Sequence, residues 1–340
     1  MNLDDLAPKR NLFATLWQLT CAIATAAVLG WFVVVWFGFD GNRFLVLADS
    51  LASWLFVAAL VLAILSSLGS RNALVAVNVW IAIISLFAWQ FHPFATAASK
   101  PQNQSTLKVL ELNTLAGGVD PVSIKSEIIR DDIDVLILLE TNDLMVSRFE
   151  SAKIQDLMPF HLHQTLAHDP LSGLDNWWGT DIWSRTPLTA KKIISGFTYP
   201  TMVTSTKVGD TDFKLIGFHA ANPLADPGAW ANDLRLLADF QTTLGKGPTV
   251  VAGDFNAGEG MANFRPLLNA DFRDSADVNK LELFQETWPM QKWPTNGLDL
   301  PVMRLDHVLV NRAVEVYSSK AVRIDGSDHK AVVAELGVVR

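Results

Sequence analysis

A chain of 340 residues with a net charge of −8, 50% hydrophobic residues and a single cysteine exceeds one typical domain and excludes a disulfide-stapled scaffold. The acidic excess lies late: residues 1–100 hold five Lys/Arg and four Asp/Glu, so residues 101–340 carry −9. Nucleic-acid binding draws its affinity from Lys and Arg set against phosphates. Lys191-Lys192 is the only adjacent basic pair in that region, which disfavours a tight or processive nucleic-acid binder.

In chain order, Leu12 to Phe37 contains no charge, Phe44 to Leu68 only Asp49, and Ala73 to Phe91 none. A spanning helix needs about 20 apolar residues, so the pattern predicts three transmembrane helices near 12–37, 44–68 and 73–92. Trp31, Trp36, Trp54, Trp80 and Trp89 suit such a region. A cleaved signal peptide would account for the first segment alone. Residues 1–100 thus read as a membrane anchor and 101–340 as a separate domain outside it. Lys9 and Arg10 precede the first segment, Arg43 and Arg71 lie between segments, and Lys100 follows the third. This distribution favours a cytoplasmic N terminus and an extracytoplasmic C-terminal domain after three crossings. Cys21 reads as a small packing residue, and Ala95 to Thr106 as a short linker.

Beyond the linker, polar residues of a few types recur at the ends of apolar, strand-like runs. Asn113 closes Lys108–Asn113, Glu140 closes Asp134–Glu140 and His219 closes Phe213–His219. Asp254 and Asn256 follow the strand-like run Thr249–Ala252, which stops at Gly253, and alternation along an extended chain would send both to one side. Asp306 and His307 fall near the start of the run Arg304–Val310, while Asp328 and His329 precede Ala331–Leu336. A Gly-Asp-x-Asn string alone is ordinary turn chemistry. Six strand ends carrying Asn, Glu, His, Asp-x-Asn, Asp and Asp-His in this order point to one shared site.

That ordered set closely resembles the endonuclease/exonuclease/phosphatase superfamily, the DNase I-like metal-dependent phosphoesterases, over roughly residues 105–340. Gly179-Thr-Asp-Ile-Trp-Ser-Arg-Thr-Pro-Leu, Phe272-Arg-Asp-Ser and Thr287-Trp288 are similar to further family motifs. The resemblance implies an α/β (α+β) four-layer sandwich: two mainly antiparallel sheets flanked by helices, with the site at one end. Three spanning helices ahead of such a domain are similar to bacterial inner-membrane members associated with glycopeptide-antibiotic resistance. That likeness implies a lipid-linked phosphate or pyrophosphate as substrate. A membrane-anchored nuclease is the alternative, and a non-catalytic adaptor is disfavoured by the complete set of site residues.

Phosphoester cleavage needs a Lewis acid, an activated in-line water and donors for developing charge. Glu140 is the first choice as metal ligand, with Asn113 holding the metal or orienting Glu140, and Asp328 reaching a metal or bracing the network. Hard oxygen ligands point to Mg²⁺, with Mn²⁺ as the substitute. Asp254 is expected to orient or deprotonate the water, Asn256 to donate to a phosphoryl oxygen, and His219 to contact the phosphate from the opposite side. His329 takes up a proton or, protonated, stabilises the transition state, with Asp306 fixing its tautomer. Asn222-Pro223 would shape the neighbouring loop, and Trp177-Trp178 offer an apolar contact to substrate or bilayer. His307 reads as packing, and His161, His163 and His168 as surface or loop residues. Tyr199 and Tyr317 give no confident counterpart of the tyrosine used by some DNA-repair members.

Overall fold

The computed structural model describes residues 12–69, 72–89, 97–102, 105–166, 168, 178–269, 271–278, 285–290 and 301–339. Four helices come first: α1 (Leu12–Phe37), α2 (Arg43–Ser50), α3 (Leu55–Ser67) and α4 (Asn72–Trp89). Asn78 Nδ2 donates to Thr25 Oγ1 at 2.8 Å between α4 and α1, and Trp17 Nε1 donates to Leu65 O at 3.3 Å between α1 and α3. These three helices form a bundle.

Among the described residues, only α1 is by itself long and apolar enough to cross a membrane, with a mean hydropathy of 2.1. Its 26 residues make a rod of about 39 Å. The three spans expected from the sequence are therefore corrected. The second segment is broken into α2, a 3₁₀ turn at Ala52–Trp54 and α3, with a bend of 49°. The third contributes a shorter apolar helix, Asn72–Ala88, and residues 90–92 of that prediction lie outside the described residues. Apolar composition alone did not register the break, because α2 is apolar toward a protein surface rather than toward lipid.

From residue 107 onward two six-stranded sheets pack face to face. The first has the order β11 (Val314–Arg323), β12 (Lys330–Val338), β1 (Leu107–Asn113), β2 (Val135–Thr141), β4 (Gly179–Ser184), β3 (Phe160–Gln164). The second has the order β5 (Thr189–Ile194), β6 (Thr201–Val208), β7 (Thr211–His219), β8 (Thr249–Asp254), β10 (Asp306–Asn311), β9 (Phe272–Asp274). Each sheet is antiparallel except for one parallel pair, β1–β2 and β7–β8. Parallel neighbours require a crossover, supplied by α5 (Pro121–Asp131) and α7 (Pro227–Gln241). Both helices start on an Asp-Pro signal. Asp120 and Asp226 each accept two backbone N–H bonds as N-caps, and Pro121 and Pro227 occupy the first turn, where no donor is needed.

Three apolar layers hold these elements. Val109, Val135, Ile137, Leu215, Val250 and Val308 fill the space between the sheets. Ile124, Ile128, Met145 and Phe149 seal α5 and α6 (Asp143–Ser151) onto the first sheet. Trp230, Leu234, Leu237 and Phe264 cover the second, and Val46 of α2 joins this layer. The linker is stitched along the first sheet, where Ala98 N donates to Val316 O at 2.9 Å and Lys100 pairs with Glu335.

Candidate active site

The strand register assembles the site. In the second sheet His219 lies opposite Asp254 across β7–β8, and Asp254 lies opposite Asp306 across β8–β10, one row over three strands. Asn113 and Glu140 end the neighbouring strands of the first sheet, and His329 stands just before β12, the other neighbour of β1. Gly253 makes the β7–β8 approach possible, since a Cβ there would stand 1.7 Å from Phe218 O.

Asn113 Nδ2 bridges the sheets, donating to Glu140 Oε1 at 2.9 Å and Asp254 Oδ2 at 3.0 Å. Ala116 N donates to Glu140 Oε2 at 3.0 Å. His219 Nε2 lies 3.9 Å from Glu140 Oε1 and 3.7 Å from Asp254 Oδ2. His329 Nδ1 bonds Asp306 Oδ2 at 2.8 Å, leaving Nε2 at 3.9 Å from both Asp254 Oδ2 and Asp328 Oδ1. Trp288 Nε1 holds the other Asp328 oxygen at 3.1 Å.

The backbone is strained where it carries these groups. Glu140 (φ 52°), Asn256 (φ 47°), Leu115 (φ 50°) and Ala116 (φ 54°) all adopt the left-handed region that non-glycine residues seldom occupy. Glu140 is the extra residue of a bulge, for the β2–β4 register shifts between Leu139 and Thr141. A bulge re-aims its side chain. The alternation expected for Asp254 and Asn256 is likewise corrected. The strand stops at Asp254, Phe255 is buried, and the turn rather than an extended chain brings Asn256 to the site. Asn256 N donates to Asp254 Oδ1 at 2.8 Å, and Asn256 Nδ2 to Ala220 O at 3.1 Å.

Crowded carboxylates set the electrostatics. Burial first, then the Asp306 charge, pushes the Asp254 carboxyl up to about 7. Burial also raises Glu140, against the opposing Asn113 hydrogen bond. For His329 burial works the other way, but Asp306, with Asp254 and Asp328 behind it, outweighs it and lifts the imidazolium to about 10. Asp306 Oδ1 is buried without a hydrogen-bond partner, and Asp254, Asp306 and His329 offer ligand atoms within 4.8 Å of one another. An oxygen-rich, under-neutralised pocket of this kind fits a hard divalent cation.

A cavity of about 330 Å³ contains Glu140, His219, Asp254, Asn256, Asp328 and His329, so the sequence-derived set converges. Asn222 and Trp178 line it as well, while Trp177 lies outside the described residues. His307 is buried and packs as expected, its ring bonded to Asp274 and to Ala257 O at 2.8 Å. His161 and His163 are corrected from loop residues to strand β3, where both bond the buried Asp181. Two residues at the site escaped the sequence, Tyr199 and Glu111. Tyr199 stacks on His219 with 4.6 Å between centroids, and Trp178 stacks on Tyr199 at 5.2 Å. Glu111, two residues before Asn113, is fully buried with neither oxygen bonded, its carboxyl raised well above the usual range by burial, Asp306 and Asp254. A carboxylate inside an otherwise apolar strand was the available signal.

Comparison with known proteins agrees with this architecture. Residues 110–329 match the model of the Endonuclease/Exonuclease/phosphatase family. No curated protein matches the chain in sequence. Among solved structures, an endonuclease/exonuclease/phosphatase from Beutenbergia cavernae DSM 12333 superposes with a TM-score of 0.51 at 17% identity, covering 69% of this chain and 72% of that one. D. rerio TDP2 complexed with a single-strand DNA product gives 0.53 at 15% identity, over 69% and 100%. The Bacteroides thetaiotaomicron mannosyl-6-phosphatase gives 0.50 at 18%, over 68% and 99%. The chain therefore belongs to the endonuclease/exonuclease/phosphatase family and is a metal-dependent hydrolase of phosphoric esters.

Proposed function

We propose that this protein is a membrane-anchored phosphoesterase that hydrolyses a phosphate ester or pyrophosphate carried by a lipid. The observation that carries this reading is the joint character of the cavity. The carboxylate–histidine cluster and the side chains of Val46, Leu47, Leu115, Leu224 and Met261 line the same space.

The bundle supports the anchoring. Phe13, Ile23, Trp36, Leu60, Ile64, Trp80 and Phe87 are all at least 48% exposed, an apolar surface that water would penalise and lipid would not. The sandwich sits at the C-terminal end of α1, where Arg265 donates to Val35 O at 2.5 Å and Trp36 O at 3.3 Å. Lys9 and Arg10 precede the opposite end, which favours a cytoplasmic N terminus and an extracytoplasmic sandwich. One crossing, by α1, puts the sandwich on the side opposite the N terminus. An enzyme tethered there meets lipid headgroups at high effective concentration.

Glu140, with Asn113 and Asp328, would hold Mg²⁺, Mn²⁺ being the plausible substitute. When bound, the cation supplies Lewis-acid polarisation of a phosphoryl oxygen. Asp254 orients the attacking water and takes its proton, and a carboxyl near 7 suits a base working at neutral pH. His329 is held charged by Asp306 and presents Nε2–H to the developing negative charge. His219, braced by Tyr199, donates from the other side, and the Asn256 amide donates to a phosphoryl oxygen.

The test uses full-length protein and Glu140→Ala in lipid nanodiscs with Mg²⁺, each given a polyprenyl pyrophosphate, a phospholipid mixture, and single- and double-stranded DNA. Turnover of a lipid substrate by the native protein, abolished in the variant, is expected. Turnover of DNA alone would make it a nuclease, the outcome that the likeness to TDP2 keeps in the comparison.

A further inference from the structure

The segment between α1 and α3 does more than connect them. Asn42 caps α2, accepting from Phe44 N and Leu45 N at 3.0 and 3.2 Å. The turn ahead of it is fastened to the sandwich through Asp40 Oδ2, which accepts from both the backbone and side-chain nitrogens of Asn263 at 3.0 Å. Just beyond α2, Trp54 Nε1 donates to Val302 O at 2.8 Å. Gly260 permits the close fit, because a Cβ there would meet Asp49 O at 2.4 Å and Ala52 Cβ at 2.5 Å. Val46 is 1% exposed within the core that holds Phe255, Met261 and Phe264.

This docking brings the next residue, Leu47, into the active-site cavity, where α2 also contributes Ser50. Leu47, Leu115 and Leu224 line the cavity while 39%, 46% and 48% exposed. They come from α2, the loop after β1 and the loop after β7. Trp178, Met303 and Leu305 extend the apolar lining. A site for phosphate alone has no use for such a wall.

Resting on the phosphoesterase reading of the polar cluster, we propose that α2 is a specificity element: it forms, with Leu115 and Leu224, an apolar subsite for the hydrocarbon chain next to the scissile phosphate. The occupant is a single linear chain of an amphiphilic phosphate ester. Three observations select it: the polar cluster in the cavity, the apolar side chains that line the same space, and the short turn, residues 38–42, that joins α2 to α1. The docked α2 holds the cavity at the side of the sandwich where the bundle attaches, so a chain leaving the cavity stays near the membrane helices.

Binding of alkylphosphonates tests this, since their P–C bond is not cut by water attack at phosphorus. Octylphosphonate and ethylphosphonate would be titrated calorimetrically into the full-length protein in nanodiscs with Mg²⁺. The same titrations would use Leu47→Gln and Leu224→Gln. Both positions are partly exposed, and they belong to different elements, α2 and the loop after β7, so misfolding of one variant leaves the other informative. Each methylene moved from water into an apolar site is worth about fourfold in affinity. The octyl ligand is expected to bind at least about tenfold more tightly than the ethyl ligand, with that ratio falling several-fold in each variant. Equal binding of the two ligands, or a ratio unchanged in both variants, overturns the subsite and leaves the phosphoesterase reading standing. Binding of neither ligand overturns both.

Discussion

Two of the histidine–carboxylate clusters on these sheets differ in how completely their charges are answered. In the β3–β4 cluster Asp181 accepts from Thr141 Oγ1 at 2.8 Å, from His161 at 3.1 Å and from His163. His163 also bonds Asp143 at 3.0 Å. Burial disfavours ionised Asp181, yet the two histidines outweigh it and hold the carboxyl below its usual range. The active-site cluster has the same ingredients in the opposite state: an orphaned Asp306 oxygen, an Asp254 carboxyl raised to about 7, and two left-handed side-chain carriers. A satisfied polar network fixes structure, whereas an unsatisfied one on strained backbone marks where a ligand completes the chemistry.

The sharpest way to break the comparison is to neutralise one carboxylate in each cluster. Asp254→Asn should cut kcat by about 10³-fold while leaving the melting temperature of metal-free protein equal or higher, because a repelling charge disappears. Equal loss of stability and activity would make the cluster structural. Asp181→Ala should do the reverse, destabilising by about 3 kcal/mol in denaturant unfolding, since two half-buried histidines lose their acceptor. Its kcat at saturating metal should stay within about threefold; a collapse would move catalysis to the wrong cluster.

Asp306→Asn should lower kcat by about a hundredfold and shift the His329 titration downward in NMR. An unshifted His329 would remove Asp306 from the tautomer-fixing role. The smallest effect concerns pH and metal. Folded Asp254 and His329 both titrate above their unfolded values, so their contributions are present at low pH and fade as pH rises, through about 7 and about 10 respectively. In EDTA the melting temperature should therefore fall between pH 6 and pH 9. Mg²⁺ should flatten that fall by offsetting the carboxylate repulsion. A metal-free protein more stable at pH 9 would contradict the charge-crowded description.

Much of the candidate site was legible because most of its residues sit at the end of an apolar strand, and strand ends meet at one edge of a sandwich. Asn113, Glu140, His219, Asp254, Asp306 and His329 are all found that way. Their geometry was not legible. Pure alternation placed Asn256 correctly for the wrong reason, since a left-handed turn delivers it, and the bulge aiming Glu140 has no local signature. Tyr199 was passed over because its role is to stack on His219, a residue of a neighbouring strand.

By itself the sequence determined the elements, their polar ends, the family and an apolar N-terminal region, all properties of period, composition and order along the chain. Tertiary structure decided what those elements face. Phe44 to Leu68 satisfies the hydropathy of a span, yet its first turns pack on Phe255 and Met261 and line the catalytic cavity. Hydropathy records how strongly a side chain avoids water and carries no record of whether lipid, a protein core or a substrate chain covers it.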